Sequence, residues 1–365
     1  MKSFFSFLAV SFLLFCACSS ESEQLKGFDY YDWSDKEVHL KVDRVLKMDT
    51  IIDYLMSINR EGDYYVVEYP YDWALYKLDG DQLVFDRYLI KKGSGPYETS
   101  SSTRFSKLND GRYFLSECIG SKKIFVSPTS DSDELSDITR WKSMSREDPS
   151  LPYFLESIQP INDEMVIGST LGNSKSKFAT YDLKTKQYAA LDYIYPAVYD
   201  ELSDAQKAFA MEGVLMKKPN ENKYLFKPNI GLVMLLFECE GNKIGKAKYI
   251  FNQFAAFGKG EGDENARPRL MDRKAPYGMT VSVADDYIYL KGKLVTVEEV
   301  FGPNSSSDNA YADNVLSFDW NGKPHKKYIL DEKINNFMVD DDDSALYAIV
   351  EGEDGYEIRV YNIPD

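Results

Sequence analysis

Histidine is nearly missing from this chain, with two among 365 residues, His39 and His325. A histidine-based zinc centre has too few ligands, and a Ser-His-Asp triad would have to recruit one of two isolated imidazoles. Cysteine is scarce as well, with four in all. Cys16 and Cys18 fall in the first 18 residues, so the body keeps only Cys118 and Cys239. A disulfide framework is excluded; a single bridge stays open, and two separate buried thiols are the reading adopted. Basic charge is short, 43 Lys+Arg against 59 Asp+Glu. A net charge of −16 leaves no electrostatic footprint for nucleic acid or anionic lipid headgroups. No apolar run is long enough to span a bilayer; the longest, Phe4–Phe15, falls short. Chemical signatures are missing too. There is no Gly-x-Ser-x-Gly elbow. Gly93-Ser94-Gly95 and Gly258-Lys259-Gly260-Glu261-Gly262 do not open a helix after a parallel strand, so neither is a phosphate cradle. Asp340–Asp343 lacks the alternating ligands of a calcium loop and reads as a solvated hairpin. No metal or cofactor is implied.

What is present begins with an address. Lys2 and the run Phe4–Phe15 have the form of a secretory signal peptide. The run ends at Ala17-Cys18, which resembles a bacterial lipoprotein cleavage site with Cys18 as the lipidated first residue. Removal of residues 1–17 takes away Lys2 and no acid, leaving 42 basic against 59 acidic residues. The stretch Ser19-Ser20-Glu21-Ser22-Glu23 resembles the export signal of surface lipoproteins in Bacteroidetes. The expected organisation is a signal peptide over 1–17, a lipidated Cys18 with a flexible tether over 18–35, and one domain over 36–365. The expected place is the outer membrane, facing the exterior, held by acyl chains that do not cross it.

The body repeats itself. Six segments run from a polar turn into an apolar strand, beginning at Tyr64, Tyr113, Met165, Tyr224, Tyr287 and Leu346. Their spacings of 49, 52, 59, 63 and 59 residues fit propeller blades with loop insertions. Each is followed by a strand centred on an aromatic: Tyr76, Phe125, Tyr181, Phe237, Phe318 and Tyr361. Most of these lead through a hairpin turn such as Asp79-Gly80, Gly241-Asn242 or Asn321-Gly322 into another strand. A short alternating stretch precedes most segments, as in Thr103–Leu108 and Ile334–Val339. The pattern predicts an all-β, six-bladed propeller with four antiparallel strands per blade. The sixth unit stops one strand short, and Glu37–Val42 is the expected strand that closes the ring and hides its edges.

The lipoprotein start, the N-terminal closing strand and the stretch Lys91-Lys92-Gly93-Ser94-Gly95-Pro96-Tyr97-Glu98 resemble the TolB-like six-bladed propeller lipoproteins of Bacteroidetes. That last stretch is similar to the family's Gly-x-Gly-Pro-x-Glu turn between the first and second blades. The resemblance implies the propeller fold and supplies no catalytic residue to carry over.

In such a ring, first-to-second and third-to-fourth strand turns share one face; the other connections share the opposite face. The long segments 90–102, 141–155, 193–211, 252–277 and 293–312 then crowd one mouth of the central channel, where a ligand is expected. Segment 193–211 holds a helix candidate, Asp204–Met211, behind the N-cap Ser203, which reads as a lid packed by Leu202 and Phe209. Arg267-Pro268-Arg269-Leu270-Met271-Asp272-Arg273-Lys274 reverses the local charge. Arg267, Arg269, Arg273 and Lys274 suit capture of a carboxylated ligand such as an acidic sugar, or salt bridges to neighbouring acids. Of Trp33, Trp73, Trp141 and Trp320, Trp141 is the candidate for an exposed stacking face. Asp49-Thr50-Ile51 and Asp343-Ser344-Ala345 resemble Bacteroidetes O-glycosylation acceptors. The functional expectation is a non-catalytic binding or scaffold propeller for a glycan or an envelope protein partner. The alternative is a hydrolase or lyase acting on a glycan, which needs paired carboxylates at the loop-rich mouth.

Overall fold

A computed structural model describes residues 28, 31–49, 55–70, 72–118, 123–145, 153–193, 195–263, 265–303, 305, 311–352 and 355–364. The signal peptide, Cys18 and most of Asp49-Thr50-Ile51 lie outside the described residues. Among the described residues no helix is long and apolar enough to cross a membrane.

Each repeated segment is the second strand of a four-stranded blade. Blade 1 is Ser57–Glu61, Tyr64–Glu68, Trp73–Asp79 and Gln82–Lys92. Blade 2 is Thr103–Lys107, Tyr113–Glu117, Lys123–Val126 and Lys142–Ser145. Blade 3 is Tyr153–Pro160, Met165–Gly172, Phe178–Asp182 and Gln187–Ala190. Blade 4 is Gly213–Lys217, Lys223–Pro228, Gly231–Glu240 and Lys243–Phe254. Blade 5 is Val281–Val283, Tyr287–Lys291, Ala312–Asp319 and Pro324–Ile334. Blade 6 is Asn336–Val339, Ala345–Gly352, Gly355–Asn362 and, from the other end of the chain, Arg44–Met48. The hairpin turns hold glycine in the left-handed region, at φ 61° for Gly80, 55° for Gly241 and 74° for Gly322.

The ring is therefore closed by an N-terminal strand, but by the one after the expected strand. Arg44–Met48 pairs antiparallel with the last strand, Leu46 opposite Ile358, and also runs parallel to Gln82–Leu83 of blade 1. Glu37–Leu40 instead lies parallel to Lys327–Leu330 along the outer edge of blade 5. Both stretches alternate, so the pattern alone does not rank them. Packing does: Leu46 is fully buried between blades 6 and 1, whereas Val38 is only half-buried.

Six apolar clusters fill the six wedges between neighbouring blades. Five of the six hold buried tyrosines, some of which send their hydroxyls across the seams. Tyr224 of blade 4 donates to Pro160 O of blade 3 at 3.1 Å, and Tyr289 of blade 5 to Asp343 of blade 6 at 2.8 Å. The wedge between blades 4 and 5 also takes Phe28, Tyr31 and Trp33, which meet Phe251 and Phe318 edge to face. The tether expected over 18–35 thus has its last aromatic residues packed on the body, because three large rings have an apolar crevice to fill. Cys118 and Cys239 form no disulfide. Cys239 is fully buried, which pushes its thiol up to about 11.

Candidate functional site

The first strand of every blade faces the ring's axis, and together these strands enclose a channel cavity of about 340 Å³. Its wall has more positive than negative side chains. Arg104, Lys107, Lys217, Lys218 and Lys227 line it against Glu61, Glu68 and Asp341. In a chain of net charge −16 this is a local inversion of sign. Low-dielectric walls lined by one sign concentrate the field for counter-ions of the other.

The charges divide between the two mouths by strand register. Glu61 and Lys107 end their first strands, next to the short first-to-second turns. There Lys107 Nζ lies 2.8 Å from Glu61 and 2.7 Å from Asp341. Burial opposes the Lys107 charge, but its two carboxylate partners outweigh it and hold the ammonium above its ordinary value. Burial pushes Glu61 up to about 7, against the pull of Lys107. Lys217 beside them is pushed down to about 8 by burial, its ammonium donating to Lys218 O at 3.3 Å.

The opposite mouth is made by second-strand ends and first-strand beginnings. Glu68 ends the second strand of blade 1 opposite Ser57, whose hydroxyl donates to it at 2.8 Å. Burial raises the Glu68 carboxyl, with the Arg104 charge opposing. Arg104, second residue of blade 2, reaches Glu68 only at 3.9 Å, and its buried Nε has no hydrogen-bond partner. Lys227 is the cross-strand partner of Val214, and both line the channel. It is 7 % exposed, and burial, then the nearby Arg104 charge, lowers its ammonium to about 8. Among the described residues no hydrogen bond or ion pair reaches that ammonium, which faces the channel. Deeper in the channel, next to last in the first strand of blade 3, Gln159 donates to Leu215 O at 3.0 Å, while its own Oε1 is buried without a donor. Trp73 and Phe105, with ring centroids 5.6 Å apart, supply apolar wall at this end.

Built-up structure surrounds this mouth, mostly over blades 3 to 5. Helix Asp204–Ala210 forms where expected, with Ser203 Oγ accepting from Gln206 N at 3.2 Å and a reciprocal capping bond. Leu202 is buried beneath it, and Phe209 lies under the Arg267 guanidinium, 5.1 Å away. Pro276–Tyr277 pairs with Val295–Thr296, tying two of the long loops together. One long segment breaks the expected arrangement. Residues 127–141 connect the third and fourth strands of blade 2 and so lie on the short-turn face, where Ser132 packs against Gly62.

That placement corrects the reading of Trp141. It is 3 % exposed, stacks on Tyr113 at 6.1 Å and donates to Glu134 O at 2.9 Å. It offers no face to a ligand, because its loop folds back into the wedge between blades 1 and 2. Trp33 and Trp73 are likewise buried, and Trp320 is half-buried with its indole donating to Ala284 O. The basic run lies outside the channel lining. Arg267 pairs with Glu212 at 3.7 Å, Arg269 leans on Met271, Arg273 donates to Phe301 O, and Lys274 is exposed. Lys227, Arg104, Glu68 and Gln159 carried no recognisable motif. They stand in four separate strands with no shared spacing, and only closure of the ring brings them together.

Comparison with known proteins agrees with this architecture. The family model described as TolB-like 6-blade propeller-like matches residues 35–342. Among solved structures, a Bacteroides fragilis protein provisionally described as exported is similar at a TM-score of 0.53. It shares 11% identity, over 90% of this chain and 100% of that one. A member of the DUF4221 family from Bacteroides vulgatus is similar at a TM-score of 0.52 and 11% identity, over 89% and 98% of the two chains. Comparison with curated proteins returns no match. With six blades, an N-terminal closing strand and a family match over most of its length, the chain belongs to the TolB-like six-bladed propeller family.

Proposed function

We propose that this protein is an exported lipoprotein, anchored through Cys18 in the outer membrane and facing outward. It serves there as a non-catalytic binding or scaffold propeller for a glycan or an envelope protein partner. The observation that carries the reading is the channel: a closed ring of six blades around a cavity of about 340 Å³ with a charge balance opposite to that of the chain. Cavities of this size, mostly preformed and holding a few convergent polar groups, suit small ligands or the tip of a larger one. The N-terminal run ending at Cys18 supports export and anchoring. The hydrolase alternative needs two carboxylates at the loop-rich mouth. Among the described lining residues Glu68 stands there alone, while Glu61 and Asp341 sit at the far mouth, each engaged by Lys107.

A glycan and peptide array probed with the purified protein tests the binding role. Saturable capture of one glycan or peptide class is expected; silence across envelope glycans and peptides counts against it. Metabolic labelling with a radioactive fatty acid tests the anchor, with label expected on the native protein and absent from Cys18→Ala.

A further inference from the structure

Two polar groups of the channel wall, Lys227 near the loop-rich end and Gln159 deeper in, have functional atoms without a partner among the described residues. Lys227 is 7 % exposed as a residue, and its ammonium, which faces the channel, has no acceptor among the described residues. The Gln159 Oε1 is buried with no donor. A largely buried charge without a counter-ion is costly, and Arg104 nearby adds repulsion rather than relief. Glu68 does not settle the balance, since it stands 3.9 Å from the guanidinium and already accepts from Ser57. One negative charge is missing from a cluster that holds two positive groups and one carboxylate. An anion placed here gains charge-assisted hydrogen bonds from Lys227, which has no ion pair to give up, and from Arg104, whose pair with Glu68 is long at 3.9 Å.

The neighbouring groups narrow the anion. Arginine's planar fork matches a carboxylate in two-point contact. The orphaned Gln159 acceptor calls for a hydroxyl donor on the same molecule. Phe105, half-buried on the channel wall, presents ring surface suited to the C–H face of a sugar. We propose that the channel, from its loop-rich end inward to Gln159, binds a small hydroxylated carboxylate of the uronic acid class. Its carboxylate meets Lys227 and Arg104, and a ring hydroxyl donates to Gln159. The assignment rests on the binding role proposed above and names its ligand class. It moves the capture of acidic groups from the exposed run Arg267–Lys274 into the channel, where partial burial makes charges worth more.

Calorimetric titration of the purified protein with galacturonate, galactose and sulfate tests it. Galacturonate is expected to bind, and galactose, which has the same ring with a hydroxymethyl group for the carboxylate, at least tenfold more weakly. Sulfate should not compete at equal concentration. Lys227→Met and Arg104→Gln are each expected to weaken galacturonate tenfold or more. Lys227→Met should melt no lower than the native protein without ligand, since it removes an unpaired buried charge. Arg104→Gln, at a side chain 37 % exposed, provides a second variant that keeps the fold. Galacturonate affinity unchanged in both variants overturns the proposal, as does sulfate binding equally well. If neutral glycans or peptides bind while galacturonate does not, the ligand class is wrong and the binding role survives. If nothing binds, both fall.

Discussion

Lys177 is a fully buried charge, 0 % exposed. Its ammonium donates to Thr170 O at 2.8 Å and to Ala208 O at 3.3 Å, the latter in the last turn of helix Asp204–Ala210. That helix end carries partial negative charge and suits a cation. Burial still dominates and lowers the ammonium to about 7. Between pH 7 and the ordinary lysine value, the unfolded chain keeps a proton that the folded chain has released. Stability should therefore rise with pH across that window, by roughly 1 kcal/mol per unit from this group. Urea denaturation at pH 7 and pH 9 should show the rise, and Lys177→Met should flatten it. Trp141 makes the opposite case, an apolar side chain taken from a loop into a wedge. Trp141→Ala should cost roughly 3–5 kcal/mol by the same method and leave galacturonate affinity unchanged. Neither role was legible from residue identity. Lys177 follows Ser174-Lys175-Ser176 and reads as part of a polar turn, and Trp141 sits in a segment whose length suggested exposure.

At the scale of elements, the closing strand shows what alternation reveals and what it leaves open. Val38, Leu40 and Val42 form the more apolar stripe, yet that strand lies outside blade 5. The weaker stripe of Arg44–Met48 fills blade 6 because the ring needs one strand between the last hairpin and blade 1, and Leu46 supplies its core residue. Leu46→Ala should destabilise the protein by roughly 2–5 kcal/mol, whereas Val38→Ala, at a half-buried outer position, should cost less than about 1 kcal/mol. Denaturant midpoints of the two variants check this; equal losses would assign both strands the same importance. The fourth strand of blade 2, Lys142–Ser145, escaped the pattern for a related reason. It has Met144 as its one large apolar residue, too little for an alternating signature. The second strands were legible, because five or more apolar residues in each wedge demand runs that stand out from the turns.

Across the whole molecule, blade number followed from spacing because every blade must bury two faces against its neighbours, which forces the same strand pattern to recur. The site did not follow, because Glu68, Arg104, Gln159 and Lys227 come from blades 1, 2, 3 and 4 and lie far apart in sequence. Sequence charge pointed to the only cationic run, and that run is on the rim. The ring instead gathers its isolated cations on the channel wall, within an acidic surface that keeps non-specific anions dilute at longer range. Raising ionic strength should weaken galacturonate binding only modestly, because the contacts are partly buried; titrations at 50 mM and 500 mM NaCl would check this. The most direct test of the account is a crystal structure of the protein soaked with galacturonate. The account predicts ligand density in the channel with its carboxylate against Lys227 Nζ and the Arg104 guanidinium. Density at Arg267–Lys274 with none in the channel would contradict it.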